Sequence, residues 1–167
     1  MTNGTGNWTN FSSWDSNGGT PGLDGALSIN DSATFDTNGS GTVVLNTNAT
    51  LSSLTFSNGI APYTVGGTGT IVLQTAGLLN NLAGSNTIAT TLDLATNVSL
   101  SNNATLVVTG AIKYTGSLAL SGAGTTILSA ANSFSGGTTL NAGTLVTTNS
   151  AALGSGAVTL NGGTLSV

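Results

Sequence analysis

Hydrophobic and polar residues alternate along most of this chain in short runs that are separated by small residues. The pattern is clearest near the end, where the phrases Leu140-Asn-Ala-Gly-Thr-Leu145 and Leu160-Asn-Gly-Gly-Thr-Leu165 are almost identical. Each phrase has an apolar residue, then small polar residues, then Thr and a second apolar residue. The two copies begin 20 residues apart, and this period indicates a repeat architecture such as a solenoid.

Weaker copies of the phrase extend back almost to the start of the chain. Eight copies are recognisable, and they begin at Ile29, Leu45, Val65, Leu82, Leu100, Leu120, Leu140 and Leu160. Neighbouring copies begin 16 to 20 residues apart. The residues before each phrase mostly read apolar, polar, apolar, which is the pattern of a short strand with one buried face. Gly and Asn within the phrase favour a tight corner after that strand.

These observations predict an all-β fold, a parallel β-helix (β-solenoid) of about eight rungs over residues 27–167. Stacked strands are about 4.8 Å apart, so equivalent residues of successive copies should form columns. The predicted structural ladder of threonines consists of Thr34, Thr50, Thr70, Thr87, Thr105, Thr126, Thr144 and Thr164. A β-sandwich of short hairpins is the alternative, and it explains the strands but not the nearly constant period.

Residues 1–26 do not fit the repeat and contain the aromatic residues Trp8, Phe11 and Trp14. A solenoid needs an atypical end unit, because an uncovered end exposes core side chains and unpaired strand edges. We therefore predict that this segment is an N-terminal cap whose aromatic rings close the core. The rival interpretation is an aromatic platform that binds a glycan.

Composition excludes several classes of protein. Only 4% of the residues are charged, and the net charge is −4 with a single Lys or Arg, so binding to a nucleic-acid backbone is not expected. No apolar run approaches the roughly 20 residues of a membrane-spanning helix, and we expect no transmembrane segment. The many Val, Ile and Thr residues favour strands over disorder.

The sequence offers little for catalysis or metal binding. The chain has no His and no Cys, so a nucleophilic triad has no base, and five aspartates with one Lys113 do not make the site of a polysaccharide-cleaving β-helix. We expect no enzyme activity, no cofactor and no metal site; a single adventitious calcium near the early aspartates is the residual alternative. Ice binding needs two parallel outward Thr columns, and the column two residues after the predicted one is not Thr.

The residues Gly124-Thr-Thr-Ile-Leu-Ser-Ala-Ala-Asn-Ser-Phe-Ser-Gly-Gly-Thr-Thr-Leu-Asn-Ala-Gly-Thr-Leu145, continuing with Ala151-Ala-Leu-Gly-Ser-Gly-Ala-Val-Thr-Leu-Asn-Gly-Gly-Thr-Leu165, closely resemble the autotransporter-associated β-strand repeat, also called the passenger-associated transport repeat. A weaker resemblance includes Asp31-Ser-Ala-Thr-Phe-Asp36 upstream. The resemblance implies a right-handed parallel β-helix in a large bacterial protein that is secreted or held at the cell surface.

The expected function is therefore structural and extracellular. The last residues, Thr164-Leu-Ser-Val167, stop in the middle of a rung, so we expect the open rung to be covered by neighbouring repeats of a longer chain or by a second copy. Head-to-tail stacking of copies would give fibres. The alternative function is an adhesin or glycan-binding module that uses the aromatic N-terminal segment.

Overall fold

The computed structural model describes residues 6–9, 31–37 and 39–167. Its regular elements are all strands. In chain order they are β1 (Gly6–Asn7), β2 (Ser32–Phe35), β3 (Gly41–Val44), β4 (Ala49–Phe56), β5 (Tyr63–Gly66), β6 (Thr70–Asn81), β7 (Ser85–Ile88), β8 (Thr91–Leu94), β9 (Val98–Asn102), β10 (Thr105–Val108), β11 (Ile112–Lys113), β12 (Leu118–Ser121), β13 (Thr125–Leu128), β14 (Thr138–Leu140), β15 (Thr144–Thr147), β16 (Val158–Leu160) and β17 (Thr164–Ser166).

The strands stack in parallel into three ladders. Ladder A has the order β1-β3-β5-β7-β10-β13-β15-β17. The long strands β4 and β6 each contribute to two ladders. In ladder B the first half of β4 pairs with the first half of β6, β6 pairs with β8, and β8 pairs with β11. In ladder C, β2 pairs with the second half of β4, which pairs with the second half of β6, and β9, β12, β14 and β16 follow in that order. The middle turns have strands in all three ladders, whereas the turns after β11 have strands in ladders A and C.

The predicted parallel β-solenoid is confirmed, with about seven turns. The count differs from the eight copies of the sequence because the eight strands of ladder A are separated by seven steps. The right-handed sense of the coil stays a prediction from the resemblance. No helix in the described part of the chain is long and apolar enough to cross a membrane.

Strict alternation along each strand builds the core. In β10, Leu106 and Val108 are buried while Thr105 and Val107 are partly exposed. In ladder C the register places Leu100, Leu120 and Leu140 one above another, and all three are at most 2% exposed. Because like stacks on like, each turn buries its apolar residues against those of the turns on either side.

Glycine is required at the corner that follows ladder C. Gly143 and Gly163 hold the same place in consecutive phrases and have φ angles of 79° and 78°, which L side chains rarely adopt. A Cβ atom on Gly163 would also lie 2.4 Å from the backbone oxygen of Gly143. The Asn-x-Gly part of the phrase is thus a corner in which neighbouring turns touch through their backbones.

The predicted boundary between residues 1–26 and 27–167 lies almost entirely outside the described residues. Only residues 6–9 of the predicted cap are described, and they begin ladder A through the pairing of β1 with β3. The division into two segments therefore stays a prediction.

Candidate functional site

The predicted threonine column does not form as one ladder. Thr105, Thr144 and Thr164 share a register position in ladder A, but Thr125 occupies that position between them instead of Thr126. Thr87 lies in ladder A two positions further along, in register with Val107, and pairs with Thr64. Thr34 is in ladder C, and Thr50 and Thr70 are in the ladder B halves of their strands.

The different placement has a physical reason in the chain length of each turn. Register partners in the late turns are 19 or 20 positions apart, whereas those in the early turns are 21 to 25 positions apart. The phrase therefore reaches different ladders in the early and the late turns. In the phrase that starts at Leu120, two consecutive threonines are available, and the register uses the first of them.

Thr126 instead points into the core, where it belongs to a buried amide network. Asn102 donates hydrogen bonds from Nδ2 to Thr126 Oγ1 and to the Thr125 backbone oxygen, both at 2.9 Å. Asn81 donates to Asn102 Oδ1 at 2.9 Å, and Asn86 donates to Asn81 Oδ1 at 2.8 Å. All of these side chains except that of Thr125 are at most 3% exposed. The network joins three turns through the corner between ladders C and A.

Sequence analysis missed this network although a signal for it was present. In Leu79-Asn-Asn81 and Leu100-Ser-Asn102, the last Asn of each segment stands two residues after a buried Leu. Period-two alternation places such a residue on the same inward face as the Leu.

Trp8 lies at the first turn of the core and is fully buried. Its ring packs edge-on against Phe35 with a centroid distance of 5.9 Å, and its backbone N–H donates to the Val44 oxygen at 2.9 Å. A buried ring cannot be a platform for a glycan. Phe11 and Trp14, the other predicted cap or ligand aromatics, lie outside the described residues.

The last turn has one edge without a neighbouring strand in each of ladders A and C. Leu160 continues the inward column of Leu100, Leu120 and Leu140, yet it is 57% exposed, whereas the other three are at most 2% exposed. Val158, which pairs with the buried Thr138, is 43% exposed. The edge of β16 and β17 thus presents the apolar residues that every earlier turn buries.

The charged residues of the described part are Asp31, Asp36, Asp93 and Lys113. Within residues 6–9, 31–37 and 39–167, no group of three His, Cys, Asp or Glu side chains could hold a metal ion. Asp93 and Lys113 are register partners in ladder B. Partial burial raises the pKa of the Asp93 carboxyl, and the Lys113 ammonium acts in the opposite direction.

The chemistry of these features is that of strand pairing. The buried polar groups in the amide network are amides and a hydroxyl, and they exchange hydrogen bonds with one another and with the backbone. Such groups neither titrate near neutral pH nor act as nucleophiles without an activating base.

Comparisons with known proteins agree with the sequence interpretation. Searches of curated proteins and of solved structures returned no significant match. Residues 118–146, which include β12, β13 and β14, match the family model of the passenger-associated-transport-repeat. The predicted resemblance is thus confirmed for this stretch, and it suggests that the chain is an autotransporter passenger-like structural segment of a surface or secreted protein.

Proposed function

We propose that this chain is a non-enzymatic structural segment of an extracellular bacterial surface protein and that copies of it stack head to tail through the edge of β16 and β17. Its role would be to extend and space other parts of the cell surface as a stiff rod. No catalytic residue, cofactor or metal is needed for this function.

The observation that carries the proposal is the inward column of leucines in ladder C. Leu100, Leu120 and Leu140 are each at most 2% exposed because a turn lies on both sides of them, while Leu160 is 57% exposed. A further turn with the same register would remove Leu160 and Val158 from water. Burying a Leu side chain contributes about 1.5–3 kcal/mol, so the apolar contact adds to the new backbone hydrogen bonds.

The chemistry of the edge also favours association. Natural edge strands usually carry Lys, Pro or a bulge that prevents pairing with another chain. The strands Val158-Thr-Leu160 and Thr164-Leu-Ser166 contain neither a charge nor a proline. The neutral surface places no electrostatic barrier between two copies, whereas like charges on the edge would repel.

Backbone groups are available for the same pairing. The Leu118 N–H donates to the Gly137 oxygen in the next turn, and the Thr138 N–H donates to the Ala157 oxygen in the turn after that, both at 2.9 Å. Val158 is the register partner of Thr138, so its N–H occupies the equivalent place and would donate to the next copy.

The test is a concentration series of the 167-residue chain, followed by sedimentation velocity and negative-stain electron microscopy. We expect unbranched fibres that lengthen with concentration. Leu160→Lys should abolish them, because stacking would bury the ammonium group. Thr159→Lys is the matched control: its side chain lies on the outer face of the same strand, and fibres should persist.

Two results would contradict the proposal. A monomer at every concentration would exclude stacking of copies through this edge. A discrete dimer that does not grow would indicate that two edges meet tail to tail, since such an isologous contact closes on itself whereas a heterologous contact propagates.

A further inference from the structure

Tyr114 breaks the inward pattern of ladder B. Tyr114 occupies the same place in its turn as Leu94 in the turn before and Phe134 in the turn after. The hydrogen bonds to the next turn show the second equivalence: the Ser135 N–H donates to the Tyr114 oxygen at 2.9 Å, just as the Ser133 N–H donates to the Ile112 oxygen. Leu94 and Phe134 are at most 1% exposed. Tyr114 is 59% exposed, so its ring is turned out of the core at a position that both neighbouring turns use for packing.

The outward ring requires an unfavourable backbone. Tyr114 has a φ angle of 82°, and no other non-glycine residue of the described ranges has a positive φ. This left-handed conformation is disfavoured for residues with a Cβ atom and is tolerated best by Gly and Asn. Strained residues of this kind persist where the surroundings hold them, and they are concentrated at functional positions.

The fold does not require a tyrosine at position 114. Phe134, one turn later, is fully buried, and a Cβ atom on Gly154 in the turn after that would lie 3.1 Å from two of its ring carbons. Gly or Asn would provide the same backbone at a lower cost, so the exposed aromatic ring has no evident role in the fold.

The side chains around the ring provide hydrogen-bonding groups. Lys113, the one Lys or Arg of the sequence, precedes Tyr114 and is exposed. Its register partner Asp93 is partly exposed, and its Oδ1 atom is buried without a hydrogen-bond partner. Thr115 and Asn97 at the same corner are also exposed, and Asn97 Oδ1 accepts from the Ser117 N–H. An ammonium group, a carboxylate, a hydroxyl and an amide at the corner that carries the exposed ring can donate to and accept from sugar hydroxyls.

We propose that Tyr114, Lys113 and Asp93 form a glycan-binding site at the corner between ladders B and C. The C–H groups on one face of a pyranose ring would stack on the electron-rich face of Tyr114, and the charged pair would bind hydroxyls at the edge of the sugar. The opposite charges of Lys113 and Asp93 favour a neutral glycan. A protein partner is less suited, because protein interfaces have a contiguous apolar centre, and here the one ring is surrounded by polar residues.

The test uses an array of neutral oligosaccharides built from glucose, galactose, mannose and N-acetylglucosamine, followed by titration of the best-bound member. Tyr114→Asn is the main variant, because Asn accepts the left-handed backbone. We expect it to weaken binding at least about tenfold, in line with a stacked ring in a small site. Lys113→Met should weaken binding less. Ile60→Ala, which removes another exposed apolar side chain at the opposite corner, should leave binding unchanged.

Thermal unfolding separates a binding role from a structural one. With strain relieved, Tyr114→Asn should melt at the same temperature as the unmodified chain or up to about 4 °C higher. A melting temperature lower by more than that amount would make the ring a packing residue and overturn the proposal. It is equally overturned if the array shows no binding, if Tyr114→Asn binds as well as the unmodified chain, or if the variant loses only self-association.

Discussion

The early and late turns of this solenoid are held together in different ways. The early turns contain an aromatic cluster: Phe35 stacks on Phe56 with a centroid distance of 5.2 Å and contacts Tyr63 at 5.0 Å. The late turns have a column of leucines in ladder C, and the buried amide network of Asn81, Asn86, Asn102 and Thr126 begins where the aromatic cluster ends. The late turns, whose lengths are nearly constant, thus stack identical residues on one another. The early turns, whose lengths vary, are packed with large aromatic rings.

The difference shows what a repeat sequence needs in order to stack. A column of like residues requires that each turn returns to the same register, as the late turns do with hydrogen bonds between residues 20 positions apart. Aromatic rings are large and adapt to offset stacking, so they fill a core whose turns do not match. The Tyr63 backbone N–H donates a hydrogen bond to Asn86 Oδ1 at 2.8 Å, and this contact joins the aromatic cluster to the amide network.

The largest effect is expected from removing the centre of the aromatic cluster. Phe35→Ala should lower the free energy of unfolding by about 3–5 kcal/mol, because a buried ring is replaced by a cavity. Leu120→Ala in the late turns should cost about 2–4 kcal/mol. Thr34→Ala, on the outer face of the same strand as Phe35, is the control and should change stability by less than about 0.5 kcal/mol. Urea unfolding monitored by circular dichroism measures all three, and a smaller loss for Phe35→Ala than for Leu120→Ala would contradict the comparison.

A smaller loss is expected from the amide network. Asn102→Ala removes the acceptor of the Asn81 amide and the donor to Thr126, and leaving buried polar groups unpaired should cost about 2–3 kcal/mol. Asn103→Ala is the neighbouring control, since Asn103 is exposed and its Oδ1 accepts only a long hydrogen bond, at 3.4 Å, from the Ala123 N–H. If both variants unfold at the same urea concentration, the buried network does not stabilise the late turns.

The smallest effect is expected from pH. Burial, together with the nearby Asp36 charge, raises the pKa of Tyr63 from 10.0 to about 12. The folded state therefore keeps the phenol proton where the unfolded state loses it, and stability should fall as the pH rises above 10, by at most about 1.4 kcal/mol per pH unit. Tyr63→Phe should remove this part of the decline. It should cost about 1 kcal/mol at pH 7, because the Tyr63 hydroxyl donates to the Asp36 backbone oxygen at 3.2 Å. Identical melting curves for the two proteins between pH 9 and 11 would show that Tyr63 does not ionise differently on folding.

Much of the fold could be predicted from the sequence because alternation and a repeated phrase are local signals. The parallel solenoid and the corner glycines of the late turns followed from the pattern around Leu140 and Leu160. The register could not be predicted in the same way, because it depends on the length of each turn: one additional residue moved Thr126 from the outer face to the core. The outward turn of Tyr114 was also beyond local reasoning, since alternation places residue 114 on the same inward face as Ile112, and only the left-handed backbone turns its ring outward.

The candidate edge was anticipated better than the polar interior. An apolar column that ends at Leu160 is visible in the sequence, because each copy of the phrase starts with an apolar residue. The asparagines at positions 81, 86 and 102 have the residue type of a corner and the spacing of a strand, and only the three-dimensional pairing of turns decides between the two.

The most direct test of the stacking account is amide hydrogen exchange of residues 158–166 at low and high protein concentration. The account predicts that the Val158 and Leu160 amides exchange rapidly in the dilute monomer and become protected as copies stack. The amides of β13, which have a neighbouring strand on both sides, should be protected at every concentration and serve as the internal reference. Rapid exchange of the Val158 and Leu160 amides at high concentration would contradict the claim that this edge pairs with another copy.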